Sequence, residues 1–239
     1  MRHPSPLIRA LRATLVGIVP SALLLLPAAG MAQTVIPLGS FRSVTLRSGG
    51  EVIVRYAPTQ RVTLLEGTGE YTNAVIVDGD RLVIDRCPDR CPEGYQLAVE
   101  ILTPKIDEIR VQDGGTIRTS GRFPRQAELR AAVASGGTID VRSMAAGRVT
   151  AAIRDGGRIL ARPEKTLLAK VAHGGAVVYW GTPHDVTSSI EKGGVVAKGA
   201  AADADRPLHE LGPEITAVPA VPPVPRVPPV PPARTRGTI

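Results

Sequence analysis

Val133-Ala134-Ser135-Gly136-Gly137-Thr138-Ile139 decides the reading of this chain, because its pattern occurs six times. The other copies centre on Gly49-Gly50 (Leu46 to Val52), Gly114-Gly115 (Val111 to Ile117), Gly156-Gly157 (Ile153 to Ile159), Gly174-Gly175 (Val171 to Val177) and Gly193-Gly194 (Ile190 to Val196). Each has an aliphatic residue three before the first glycine and another three after it. From the second copy onward the first glycines are 22, 20, 18 and 19 residues apart. A repeat near 20 residues is the mark of a solenoid, whose units stack to share one core.

The residues leading into each glycine pair alternate. Leu129, Ala131 and Val133 fall on one face, as do Val149, Ala151 and Ile153, then Leu167, Ala169 and Val171, then Val186, Ser188 and Ile190. Period two predicts strands with one buried face. Arg130, Thr150, Arg154 and Lys170 fill the other face and suit water. The middle inward residue is small each time, as a narrow lumen between stacked coils requires. Glycine turns the strand sharply because it reaches positive φ without a steric penalty. A phosphate-cradling loop would need a helix directly after the glycines; β-branched residues follow instead. The glycine pairs are therefore read as structural turns.

Before the regular solenoid run of this all-β chain lies a plainer, N-terminal β-hairpin region. Val75 to Ile84 reads as a hairpin about Asp78-Gly79, a dipeptide suited to tight turns. Leu97, Val99 and Ile101 alternate up to Thr103-Pro104. No helical periodicity of ten or more residues follows the leader.

The two ends are different material. Arg2, Arg9 and Arg12 precede an apolar run from Leu15 to Leu26, then Pro27-Ala28-Ala29-Gly30-Met31-Ala32. That order reads as a signal peptide over residues 1–32, cleaved after Ala32, since the run is shorter than the roughly 20 residues needed to span a bilayer. The expectation is an exported protein, periplasmic or extracellular, with no membrane span after cleavage. From Ala200 the apolar rhythm stops, and Pro213 to Pro232 holds nine prolines. Proline locks φ and lacks a donor, so residues 200–239 are read as a disordered, polyproline-like tail, with no function of its own as the simpler reading and a spacer or docking strand for a partner as the sharper one. Between these ends, 33–199 is the expected repeat domain.

Composition narrows the function classes. The formal charge of +7 falls to +4 without the leader's three arginines, and aromatics make up 3%. Nucleic-acid binding would need a clustered basic face, and none is present. Cys87 and Cys91, in Cys87-Pro88-Asp89-Arg90-Cys91-Pro92, are read as a local disulfide in an oxidising compartment. Ligand spacing for zinc is missing, and the spacing is one residue too long for a redox Cys-x-x-Cys pair.

The ordered ladder of glycine turns resembles the bacterial head-GIN domain, an autotransporter-adhesin-type domain of unknown function. Phe41-Arg42-Ser43-Val44 resembles its opening strand. Val99-Glu100-Ile101-Leu102-Thr103-Pro104 resembles its proline-ended strand, and Tyr179-Trp180-Gly181-Thr182-Pro183 its closing Tyr-x-Gly-x-Pro. The likeness runs from Phe41 to Gly199. Asp, His and Lys replace the more usual Ser before the glycines, and the cysteine pair and proline tail are additions to the pattern. The resemblance implies a right-handed parallel β-helix-like fold in the envelope or outside the cell. It implies no catalytic residues.

One column of side chains is a candidate site. The residue before each glycine pair gives Asp113, Ser135, Asp155, His173 and Lys192. Coils in register bring neighbours within about 5 Å, so Asp155 meets His173. A carboxylate pair across a sugar would make this a carbohydrate-active site; a solvated column of weakly paired charges is the simpler reading. His184 lies in a loop and His209 in the tail, neither with an evident partner. Calcium-binding β-rolls place Asp after glycines at a nine-residue period, unlike this chain. No cofactor, metal ligand or catalytic residue is assigned. The expected function is a non-catalytic envelope or surface binding module of adhesin type, with a protein or polysaccharide partner. The alternatives are a carbohydrate-active β-helix enzyme, or a structural or sensory component acting through the proline tail.

Overall fold

Alternating aliphatic residues make strands, and glycine pairs fold those strands back on themselves. The computed structural model describes residues 33–87 and 90–211, and the backbone of 217–218. The signal peptide and the proline-rich stretch expected from the sequence lie outside these residues. The described residues are all-β, apart from 3₁₀ turns at Ala201–Asp203 and Leu208–Glu210.

The first strands are β1 (Thr34–Ile36), β2 (Ser43–Arg47), β3 (Glu51–Tyr56), β4 (Arg61–Glu66), β5 (Thr72–Val77), β6 (Arg81–Arg86) and β7 (Ala98–Thr103). The repeats supply β8 (Glu108–Asp113), β9 (Thr116–Ser120), β10 (Gln126–Ser135), β11 (Thr138–Asp140), β12 (Ala146–Asp155) and β13 (Arg158–Ala161). They continue with β14 (Pro163–His173), β15 (Ala176–Tyr179), β16 (Asp185–Lys192) and β17 (Val195–Gly199), and β18 (Ala217–Val218) follows. These form two mixed sheets, neither closed. One runs β1-β4-β7-β3-β9-β11-β13-β15-β17-β18, the other β16-β14-β12-β10-β8-β2-β6-β5. We call them the short-strand and long-strand sheets.

From β8 to β17 the chain alternates between the sheets, and each strand pairs in parallel with the equivalent strand one repeat away. Inward residues from both sheets merge into one core. Leu129, Val133, Val149, Ile153, Leu167 and Val171 face Ile117, Ile139, Ile159 and Val177 across it, with Ala131, Ala151 and Ala169 between. The last set departs from expectation. Val186 and Ile190 on β16 remain 43% and 46% exposed, because β16 is the edge of the long-strand sheet.

The glycine corners stack into a ladder. The Thr116, Thr138, Arg158, Ala176 and Val195 amides donate to the carbonyls of Gly50, Gly115, Gly137, Gly157 and Gly175, at 2.8–3.0 Å. A Cβ on Gly137 would sit 2.8 Å from Gly115 O and 2.7 Å from Val111 Cγ1, whereas one on Gly136 would meet nothing within 4 Å. Both glycines have positive φ, 68° and 93°.

The hairpin forms as expected: β5 and β6 are antiparallel, with Asp78 and Gly79 both at positive φ in its turn. Its place in the stack differs from the sequence order. β2 lies between β6 and β8, and β3 between β7 and β9. The first glycine copy thus stacks directly on the second, and the hairpin region is a coil added on its far side rather than a separate N-terminal piece. The Cys87–Cys91 disulfide lies where that added coil turns from β6 to β7. Leu97 O there accepts from Glu51 N–H at 2.8 Å, the role a glycine carbonyl plays in the other coils.

Candidate functional site

The outer face of the short-strand sheet changes character along its length. At β13 and β15 it carries Leu160 and Val178, which join Trp180 and Leu211 in a second small core. Residues 200–211 form a strap over this core. The end of the apolar rhythm at Ala200 therefore does not mark the end of ordered structure.

One buried arginine holds the strap. Arg142 pairs with Asp140 through both carboxylate oxygens, at 2.9 and 2.7 Å, and its guanidinium lies 5.1 Å from the Trp180 ring centroid. It also donates to Asp203 O at 2.7 Å and Arg206 O at 2.9 Å. Arg162 donates to Asp205 at 2.7 Å, and Trp180 Nε1 donates to Ala200 O at 2.8 Å. Arg206 pairs with Asp203 at 2.8 Å within the strap itself. A buried Arg–carboxylate pair is costly to desolvate and repays this only with good geometry and further bonds; here the further bonds go to strap carbonyls, Asp203 O and Arg206 O.

Beside the strap, the same face turns polar and leaves a groove of about 750 Å³. Its floor comes from β3, β9 and β11 through Glu51, Thr116, Arg118, Ser120 and Asp140, and its wall from Asp205 to His209. Arg118 Nε donates to Glu51 Oε1 at 2.6 Å, and Ser143 Oγ donates to Thr119 Oγ1 at 2.7 Å. Paired opposite charges and hydroxyls give the groove little net field and many hydrogen-bonding atoms. Such a lining suits a polar, uncharged ligand.

The sequence-derived column is real as geometry and lies elsewhere, along the glycine corner of the long-strand sheet. Ser135 is in register with Asp113 and Asp155, Asp155 with His173, and His173 with Lys192. His173 Nδ1 is 3.0 Å from Asp155 Oδ1, Arg154 Nε donates to Asp155 Oδ2 at 2.8 Å, and Arg154 also reaches Ser135 Oγ at 3.3 Å. The Arg154 bond, with the His173 bond second among the lowering effects, holds the Asp155 carboxyl below its ordinary range. That keeps it ionised, the opposite of what a general acid needs. His173 and Asp155 are each about half exposed, so the column is a solvated ridge rather than a cleft. His209, read as partnerless tail, instead lines the groove.

None of the column residues singled out from the sequence pattern as a candidate site lines the groove. A signal existed: Ile159-Leu160-Ala161 and Val177-Val178-Tyr179-Trp180 are continuous apolar runs, not alternating ones. Continuous runs belong to strands covered on both faces, so something had to cover them.

Residues 122–183 hold three glycine corners, Gly136-Gly137, Gly156-Gly157 and Gly174-Gly175, and strands β10 to β15. Residues 122–183 match the head GIN domain family. The family is described as "Putative auto-transporter adhesin, head GIN domain", and the resemblance drawn from the sequence is borne out. The matched segment supplies Asp140 and Arg142 to the groove, while the strap lies beyond it. No curated protein matches the chain. Among solved structures, a "putative adhesin" from Bacteroides fragilis NCTC 9343 shares 13% identity over 72% of this chain and 98% of its own, with a TM-score of 0.39. A "putative lipid binding protein" from Parabacteroides distasonis ATCC 8503 shares 13% over 70% and 96%, at 0.30. A "putative cell adhesion protein" from Clostridium sporogenes ATCC 15579 shares 8% over 70% and 98%, at 0.30.

Proposed function

We propose that this protein is an exported, non-catalytic binding module of adhesin type, and that it holds a polar stretch of an envelope or cell-surface polysaccharide in the groove beside the strap. One observation carries the reading. Arg142, a buried cation, ties the groove's floor to its wall, bonding Asp140 on one side and Asp203 O and Arg206 O on the other. A wall fixed in advance lowers the ordering cost of binding. Two further observations support it. The Glu51–Arg118 pair offers charge-assisted hydrogen bonds to hydroxyls without a net charge that would favour ions. Asp155, held ionised on a solvent-exposed ridge, offers no shielded acid for glycosidic cleavage.

The fold proposed with this function is a right-handed β-solenoid of glycine-cornered coils, with residues 1–32 as its cleaved leader. The groove floor crosses β3, β9 and β11, one strand from each of three neighbouring coils.

The test is direct binding of the full chain to an immobilised panel of bacterial envelope polysaccharides, compared with an E51A/R118A variant. The expected result is saturable binding to at least one neutral polymer and a loss of about tenfold or more in the variant, as removing charge-assisted bonds predicts. Binding unchanged by that substitution, or product release from the bound polymer, would overturn the reading.

A further inference from the structure

The stack ends abruptly at β16 and β17. Every earlier inward triplet is buried: Leu129, Ala131 and Val133; Val149, Ala151 and Ile153; Leu167, Ala169 and Val171. The equivalent triplet Val186, Ser188 and Ile190 is exposed, and all eight residues of β16 are exposed. Among the described residues nothing pairs with the free side of β16. An open strand with apolar residues facing the core is a template for unwanted pairing, and natural sheets cover or blunt such edges.

The chain's own path points to the cover. β18 pairs antiparallel with β17, Ala217 beside Gly199 and Val218 beside Lys198. It begins one further layer beyond the six glycine-cornered coils and heads back toward the Gly193-Gly194 corner, with β16 beyond. To finish that layer the chain must pass Val195 to Ala197, the two glycines and the eight residues of β16, thirteen positions in all. At about 3.3 Å per strand residue this is about 43 Å. Pro219 to Pro232 supplies fourteen residues, about 43 Å as polyproline II at about 3.1 Å per residue.

The composition fits as well as the length. Val218, Val221, Val224, Val227 and Val230 recur every third residue, each followed by proline. Polyproline II has three residues per turn, so in that conformation Val221, Val224, Val227 and Val230 would share one edge, matching the apolar Val186, Ile190 and Val196. Arg226, the one charged residue of Pro219–Pro232, meets a strand that carries Asp185 and Glu191. Carbonyls of a proline-rich segment laid there would accept from the open amides of β16, while proline lacks the donor that a further strand would need. Such a layer covers the core and also stops growth.

We infer that Pro219–Pro232 is the terminal cap of the stack, laid antiparallel across β17 and β16 with its valines on the open core. The inference stands independently of the polysaccharide reading. The test compares the full chain with a chain ending at Val218 and with a V221S/V224S/V227S/V230S variant that keeps every proline. Hydrogen exchange of the β16 peptide is measured together with molar mass by light scattering. The expected result is a monomeric full chain with protected β16 amides. In both variants β16 exchange should rise about tenfold or more, while β10 and β12 are unchanged. A second measurement places Ser188→Cys and Val227→Cys in the full chain, where an intramolecular disulfide is expected. The inference is overturned if β16 exchange is the same in all three chains, if the cysteines link only between molecules, or if the full chain dimerises through β16 so that a second copy is the cover.

Discussion

Within each glycine pair the two residues face different demands. Gly136 needs only a left-handed backbone, with open space where a side chain would go, while Gly137 also lies against Gly115 O and Val111. Gly136→Asn should therefore cost under about 1 kcal/mol, because Asn tolerates that conformation. Gly137→Asn should cost about 3 kcal/mol or more, because the ladder must part to admit a Cβ. Urea melts of the two variants check this, and equal losses would refute the asymmetry. The sequence shows that the glycines are corners but not which one is tight, since the crowding atom belongs to a residue about twenty positions away. Asp155 carries a second residue-scale prediction. Its carboxyl is lowered chiefly by the Arg154 bond. The pairing therefore favours the folded chain above the ordinary carboxylate range and fades as pH falls through the lowered value. A carboxyl-carbon NMR titration should find Asp155 below an ordinary aspartate and moved upward by Arg154→Ala. An unmoved midpoint would mean that Arg154 does not engage it in solution.

At the scale of elements, the strap is the part that periodicity could not supply. Its residues have no alternation and only short 3₁₀ turns, so a pattern search passes over them. They are ordered by what they cover and by Arg142. Removing one partner of a buried ion pair leaves the other uncompensated, at a cost of about 3–5 kcal/mol. Arg142→Ala should therefore lower stability by about 3 kcal/mol and open the strap to trypsin at Arg206, with the rest of the fold retained. Mass spectrometry of a timed digest reads this, and a strap that stays resistant would assign its order to Leu211 and Trp180 instead. The strands tell the opposite story. β10, β12 and β14 were legible residue by residue, because their inward faces answer to one shared core. β16 has the same pattern and yet its inward face is exposed, since burial depends on a neighbour that the pattern does not mention.

For the whole molecule, composition and repeat spacing made the all-β class and the run of five near-regular copies legible, but not the order of the stack. β2 and β3 contact β8 and β9 across the hairpin region, and a pairing over such a span leaves no periodic trace. The same rearrangement puts the Cys87–Cys91 loop at the turn of an outer coil. In a Cys87→Ser/Cys91→Ser chain, the lost loop-closure constraint should lower stability by about 2 kcal/mol. The change should be matched by reducing the parent protein, measured by thermal melts with and without reductant. An unchanged melt would show that Tyr95 and Arg86, bonded at 3.2 Å through the Tyr95 carbonyl, hold this turn without the bridge.

The interleaved first coil also sets a schedule. Residues 43–56 are flanked by 81–103 on one side and by 108–120 on the other. A ribosome releases them before either neighbour exists, so this part of the domain must wait unlocked while residues 57–120, roughly a quarter of the chain, are made. Its apolar residues, Val44, Leu46, Val52 and Val54, are bare throughout that interval, which makes the newborn chain a client for whatever shields nascent polypeptides until Ser120 has emerged.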